Sequence, residues 1–212
     1  MSEDVRCVPD FLYFDLGNVL LHFDHQRAAR QMAEVAGITP ERVWQIVFAG
    51  ELELRYERGE LTTGEFYDAF CTAAGTRPDF SRLCQAAAEI FELNTSLVPV
   101  VAHLAAAGYR IGILSNTNEL HWDYAYSGRY SCLRRYFKTF ALSFELRKMK
   151  PEPAIYSAAA ELADTEPARI FFVDDRPDNV AGAQAAGFDA ILFESASQTA
   201  RALRHRGIRL NY

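Results

Sequence analysis

The chain has 212 residues, half of them apolar or aromatic, with 22 Lys and Arg against 28 Asp and Glu, a net charge of -6. That length and apolar share suit one large globular domain, or a main domain carrying a sizeable insertion around a buried core. The acidic balance, with a sequence pI near 5.4, excludes a general nucleic-acid surface, because no excess of Lys and Arg exists to displace phosphate counterions, though a small positive pocket for one phosphate remains compatible with it.

The N-terminus, "MSEDVRCVPD", carries charges where a signal peptide needs an apolar core, and no apolar run reaches the roughly 20 residues that span a bilayer. A soluble, cytoplasmic protein with no membrane partner is expected. The segment "FLYFDLGNVLLHFD" reads as a buried strand, Phe11 to Asp15, broken at Gly17. From about Asp24 to Phe91 the chain reads as helices in succession. "HQRAARQMAEVAG" ends on Gly37 as C-cap, and "TPERVWQIVF" opens with Thr39 as N-cap and Pro40 at the first helical position. "TTGEFYDAFCTAAG" carries a Thr62/Glu65 capping box and is followed by "DFSRLCQAAAEIF".

From Leu97 the pattern changes. "LVPVVAHLAAAG" predicts a helix, "YRIGILS" a strand, "NELHWDYAY" a short helix and "FKTFALS" a strand. "PEPAIYSAAAELA" (helix), "RIFFVDD" (strand), "NVAGAQAAG" (helix), "DAILFE" (strand) and "SQTARALRHRG" (helix) complete the chain. Short apolar strands alternating with helices imply a parallel sheet covered on both faces. The expected architecture is α/β: a doubly wound, Rossmann-like core of residues 1–24 and 93–212, with a helical cap domain, 25–92, inserted after the first strand. In open α/β sheets ligands bind beyond the carboxyl ends of the strands, so the cap should cover a cleft.

Three apolar strands end on polar groups: Asp15, then Ser115 with Asn116, then Asp174 with Asp175, and "RKMKPEP" sets Lys150 before Pro151. Each has a structural reading alone. Asp15 could be a cap or a salt-bridge partner, Ser115 and Asn116 turn formers, Lys150 a solvated lysine, and the paired aspartates helix caps. Together they supply what phosphoryl chemistry on a metal requires. Carboxylate oxygens hold Mg²⁺, Lys150 and Ser115 balance phosphate charge, and a shielded phosphate can be attacked by a carboxylate to give an aspartyl phosphate. The cysteines Cys7, Cys71, Cys84 and Cys132 are scattered without zinc-site spacing and read as cytosolic thiols.

In order and spacing these segments resemble the four motifs of the haloacid dehalogenase superfamily: Asp15 in "FDLGNV", Ser115 in "LSNTN", Lys150 in "KMKPEP", and Asp174 and Asp175 in "FFVDDRPDNVAGA". The chain is most similar to the helical-cap phosphatases (subfamily IA). "DLGNV", "YERGELT" and "LSNTNELH" resemble the bacterial α-D-glucose-1-phosphate phosphatases, with the phosphatase domain of soluble epoxide hydrolases more distant. The resemblance implies Asp15 as nucleophile and metal ligand and the Gly17 carbonyl as a second ligand. It implies Asp175 as a third ligand, with Asp174 supporting it or sharing that role. Ser115 and the Asn116 amide would hold the phosphate, and Lys150 would pair with the phosphate and Asp15. The implied cofactor is Mg²⁺ and the implied partner a small phosphorylated metabolite, such as a sugar 1-phosphate.

Gly17 departs from the family pattern, which places there a second Asp that protonates the leaving group, a service commonly worth about 10²- to 10⁴-fold. Asp24 could replace it, or be the N-cap of the helix beginning near His25; His22 or His25 could serve, or lie on the surface; or the substrate could have a good leaving group, as an anomeric hydroxyl is. A phosphatase is the reading the motifs favour. A fold-conserving phospho-ligand binder without turnover and a haloacid dehalogenase are the alternatives. Trp44, Tyr56, Glu57, Arg58 and Trp122 are candidates to face the cleft and set selectivity.

Overall fold

The computed structural model describes residues 8–210, so Cys7 and most of the N-terminal decapeptide lie outside the described residues. Five parallel strands form the main sheet: β1 (Phe11–Phe14), β4 (Ile111–Ser115), β5 (Thr139–Leu142), β6 (Ile170–Asp174) and β7 (Asp189–Leu192), in the order β5-β4-β1-β6-β7. β1, β4 and β6 are buried along their whole length, which accounts for their continuous apolar sequences: both faces are covered and no polar face is needed. Helices α6 (Val98–Ala106), α7 (Glu119–Tyr126), α8 (Ser131–Tyr136), α9 (Ser143–Leu146), α10 (Pro153–Ala163), α11 (Pro177–Ala185) and α12 (Ala196–His205) accompany them. One apolar cluster packs Phe14, Val101 and Leu203 on one side of the sheet. A second packs Tyr13, Tyr156 and Phe172 on the other.

β1 lies at the centre, with β4 and β6 on its two sides, so the chain runs outward in both directions from it. That is the switch point at which the loops beyond adjacent strands part and leave a crevice.

Between β1 and β4 come two short strands, β2 (Leu21–Phe23) and β3 (Phe91–Leu93), paired antiparallel, and between them helices α1 (His25–Ala36), α2 (Pro40–Val47), α3 (Leu52–Glu57), α4 (Thr63–Ala74) and α5 (Phe80–Ala88). The expected unbroken run of helices to Phe91 is corrected here: α5 ends at Ala88 and Phe91 pairs with Phe23. The expected boundaries, 24/25 and 92/93, lie at the end of β2 and inside β3. The five helices have an apolar cluster of their own, centred on Met32, Val43, Tyr56 and Phe70. Their ends follow local chemistry: Gly37 caps α1 at φ 69°, Thr39 accepts from the Arg42 N–H, and Thr62 and Glu65 form the reciprocal box. No helix among the described residues is long and apolar enough to cross a membrane.

Candidate active site

Sheet register brings the motifs together. Phe14 is level with Ile113 on one side and Val173 on the other, so the next residue, Asp15, emerges beside Leu114 and Asp174. The Asp15 N–H still donates to the Val173 carbonyl at 2.9 Å, extending the ladder by one bond before the chain turns. Asp15, Asp174 and Lys150 are 6, 0 and 4 % exposed, so three charges share a site nearly without water.

The Lys150 ammonium donates to the Leu114 carbonyl at 3.0 Å and to Asp174 Oδ2 at 2.6 Å, and lies 2.9 Å from Asp15 Oδ1. Its three protons thus have three acceptors. Burial alone would discharge it, yet the facing carboxylates of Asp15 and Asp174 outweigh that and raise its pKa. Burial pushes the Asp15 pKa upward, Lys150 pulls it back, and Asp174 adds to the rise. Asp15 Oδ1 also accepts from the Leu16 N–H at 2.7 Å, leaving Oδ2 as the oxygen that neither donor engages.

Asp15, Asp174 and Asp175 each offer an oxygen within 4.8 Å of the others, a hard-donor set that suits Mg²⁺. Their hydrogen bonds separate them. Asp174 accepts from Lys150, the Arg176 N–H and both contacts of the Asn179 amide, so its two oxygens are already engaged. Asp175 is half-buried and accepts one side-chain bond, from Asn18 Nδ2 at 3.0 Å to Oδ2, leaving Oδ1 outside that bond. Asn18 sits at φ 54°, a left-handed conformation that asparagine tolerates better than most residues. Geometry thus suits Asp15 and Asp175 to a cation and Asp174 to holding Lys150.

Ser115 is buried at the end of β4, its hydroxyl donating to the Asn116 carbonyl at 3.2 Å. The Asn116 side chain faces the main chain of Lys150, accepting from its N–H and donating to its C=O. Both residues line a cleft of about 590 Å³ with Asp15, Gly17, Lys150 and Asp175.

Gly17 has an observable reason to be glycine. A Cβ there would lie 2.8 Å from Phe23 Cε1, so the ring occupies the space a side chain would need. The ring comes from β2, the first strand of the ribbon leading into the helices.

Opposite this floor the cleft is lined by Glu53 and Glu57, one turn apart on α3, with His25, His121 and Arg58. His25 Nε2 lies 3.4 Å from Glu53 Oε1, and its ring stacks on Phe48 at 4.7 Å. Burial raises Glu57 to about 7, with Asp15 adding to it and Lys150 and Arg176 opposing. Burial also lifts Glu53 well above the usual carboxyl range, reinforced by Glu57. Burial, then the neighbouring His25, lowers His121 to about 4. Asn118 Oδ1 is committed to the His121 N–H, so its Nδ2 donates to His121 Nδ1 at 3.1 Å and the imidazole carries its proton on Nε2.

Of the five expected cleft residues, Glu57 and Arg58 line it. The other three are corrected. Tyr56 is buried in the helical core, accepting from the Leu120 N–H and sharing a hydrogen bond with Thr63. Trp122 is buried against Tyr126, its ring stacked at 4.9 Å, and Trp44 packs on Phe48. Asp24 is the N-cap of α1, accepting from the Gln26 N–H, and His22 is exposed. Glu53 lies in no motif, and His121, the last residue of "LSNTNELH", is given no role by the sequence; the fold sets both on one wall of the cleft, where the Leu120 N–H beside His121 donates to Tyr56 on α3.

The fold and this carboxylate-lysine centre define a hydrolytic α/β enzyme. The chain belongs to the haloacid dehalogenase-like hydrolase family, whose model matches residues 10–187. It is 25% identical over 187 residues to a D-ribitol-5-phosphate phosphatase of Bacteroides thetaiotaomicron, covering 84% of this chain and 88% of that protein. A solved structure of a haloacid dehalogenase family enzyme from the same organism, in complex with magnesium and inorganic phosphate, is 26% identical with a TM-score of 0.78, covering 88% of this chain and 95% of that one. An L-2-haloacid dehalogenase from Xanthobacter autotrophicus, 21% identical with a TM-score of 0.61 over 96% of this chain and 89% of its own, shares the fold.

Proposed function

We propose that this protein is a Mg²⁺-dependent phosphatase of a small phosphorylated sugar or sugar alcohol, acting through an aspartyl phosphate on Asp15, with residues 25–92 as the cap that selects the substrate. The observation that carries the reading is Lys150 Nζ held between Asp15 and Asp174 at the meeting of three strand ends, with Ser115 and Asn116 lining the same cleft. The magnesium and phosphate of the Bacteroides structure and the polyol phosphate of the relative support it.

Asp15, Asp175 and the Gly17 carbonyl would hold the ion, which when bound neutralises phosphate oxygens and lowers the repulsion a carboxylate meets at phosphorus. With Oδ1 held by Lys150 and Leu16, Asp15 Oδ2 is the attacking oxygen. Lys150 acts toward the phosphate by charge, since its three protons are already directed at protein acceptors. Ser115 and the Asn116 amide hold the phosphoryl oxygens. The cleft, at about 590 Å³, suits a ligand of metabolite size.

The test is release of phosphate from a panel of esters with Mg²⁺, including glucose 1-phosphate, glucose 6-phosphate and D-ribitol 5-phosphate, by wild type and Asp15→Asn. Turnover of a sugar or polyol phosphate by wild type alone supports the reading. Turnover that survives in Asp15→Asn, or none across the panel, overturns it.

A further inference from the structure

Expelling an alcohol from a phosphate ester needs a proton at the departing oxygen, since the alternative is a free alkoxide. Position 17 holds no side chain, and Phe23 fills the space beside it. Among the described residues, a side chain that supplies the proton would have to stand elsewhere on the cleft wall. Lys150 has its three protons directed to Leu114, Asp15 and Asp174. His121 is held by Asn118 at Nδ1 and by the Ala87 main chain, and His25 and Glu53 face each other at 3.4 Å, which engages that second carboxyl of the wall. Arg58 is paired with Glu152 at 2.6 Å.

Glu57 remains, and its station is fixed. Its carbonyl accepts from Ser143 Oγ at 2.7 Å, directly after β5. The next residue, Arg58, makes the ion pair with Glu152 at the start of α10. The residue after that, Gly59, approaches the Phe144 main chain so closely that a Cβ would stand 2.0 Å from the Phe144 carbonyl oxygen. These three contacts seat the end of α3 on the sheet domain, so the Glu57 side chain lines the cleft from an anchored segment. The charged groups facing it are Asp15, Lys150 and Arg176 from the sheet side and Glu53 from its own helix. Burial favours its protonated form.

We infer that the Glu57 carboxyl is the proton donor to the leaving oxygen, and then the base that prepares water for the second step; this rests on the phosphatase reading above. In the first step the Asp15 oxygen forms a bond to phosphorus, the bond from phosphorus to the ester oxygen breaks, and the Glu57 proton passes to that oxygen, releasing a neutral alcohol. In the second, Glu57 carboxylate takes a proton from water as the water oxygen bonds to phosphorus. The bond to Asp15 then breaks, inorganic phosphate leaves, and Glu57 is protonated again.

A series of substituted phenyl phosphates of near-equal size but graded leaving-group acidity tests this, read as kcat/KM with Mg²⁺ for wild type, Glu57→Gln and Glu57→Asp. Glu57→Gln should cost about 10²-fold or more on phenyl phosphate, and about tenfold less than that on p-nitrophenyl phosphate, whose departing oxygen needs less help. Its leaving-group slope is therefore steeper than wild type, while Glu57→Asp, with its carboxyl set back, falls between. Thermal melts identify a variant that does not fold, and the other then carries the slope. Parallel slopes, with one factor lost across the series, overturn the inference and leave the phosphatase reading standing. A wild type inert on every ester overturns both.

Discussion

The Asn116 side chain clasps the main chain of Lys150, accepting from its N–H at 2.8 Å and donating to its C=O at 2.9 Å. The two residues are 34 apart in sequence, and this paired contact sets the height from which the Lys150 side chain reaches Asp15 and Asp174. Asn116→Ala removes both bonds. We expect a loss of about 1–3 kcal/mol from denaturant unfolding. We also expect a fall of about 10²-fold in kcat, since small displacements of positioned groups are costly. Asn116→Asp keeps the acceptor but not the donor and should fall between.

Lys150→Met leaves Asp15 and Asp174 buried without their cation. Breaking a buried pair by removing one partner costs about 3–5 kcal/mol. Phosphate release should be lost, and the stability deficit should shrink as the pH is lowered and the carboxylates take up protons. Chemical denaturation of wild type and variant at acidic and neutral pH checks this; a deficit independent of pH would argue that the lost stability is packing alone.

At position 17 the expected cost is steric. Gly17→Ala sets a methyl 2.8 Å from Phe23 Cε1, and overpacking of that kind costs about 1–3 kcal/mol. In a double-mutant cycle, Phe23→Ala should relieve much of that cost, giving coupling of roughly 1 kcal/mol between the sites. Additive effects would mean that the ring is not what keeps position 17 bare.

His121 is held neutral inside the cleft wall, its pKa lowered from 6.5 to about 4 first by burial and then by His25. A folded-state value below the unfolded one means that the unfolded chain binds the proton more readily. The stability this group contributes is full above pH 6.5 and is lost as the pH falls through about 4. His121→Gln should flatten the stability profile across that window, and an unchanged profile would contradict the assignment.

Much of this site is legible in the sequence because a parallel strand buried on both faces is a continuous apolar run, and a polar residue that ends such a run marks the sheet's carboxyl edge. Asp15, Ser115 and Asp174 are read that way, and register then brings them together. Helix ends with side-chain caps, at Asp24, Thr39 and Thr62, are equally plain. The ribbon of β2 and β3 is not, since three-residue strands carry no periodicity and gain their pairing only when the helical insertion closes. The short α3, α8 and α9 fail for the same reason. The division of labour between Asp174 and Asp175 rests on Asn179, which bonds Asp174 from the first turn of the helix that follows, and on Asn18, which bonds Asp175 across the fold. Trp44, Tyr56 and Trp122 share the aromatic character of ligand-facing residues, and packing into apolar clusters decides otherwise.

The central claim is that phosphate passes through Asp15. Enzyme mixed with Mg²⁺ and a turned-over phosphate ester, quenched rapidly in acid and mapped by mass spectrometry, should carry a phosphoryl group on the peptide containing Asp15, and Asp15→Asn should carry none and release no phosphate. A phosphoryl group on another residue, or steady turnover by Asp15→Asn, would contradict the account.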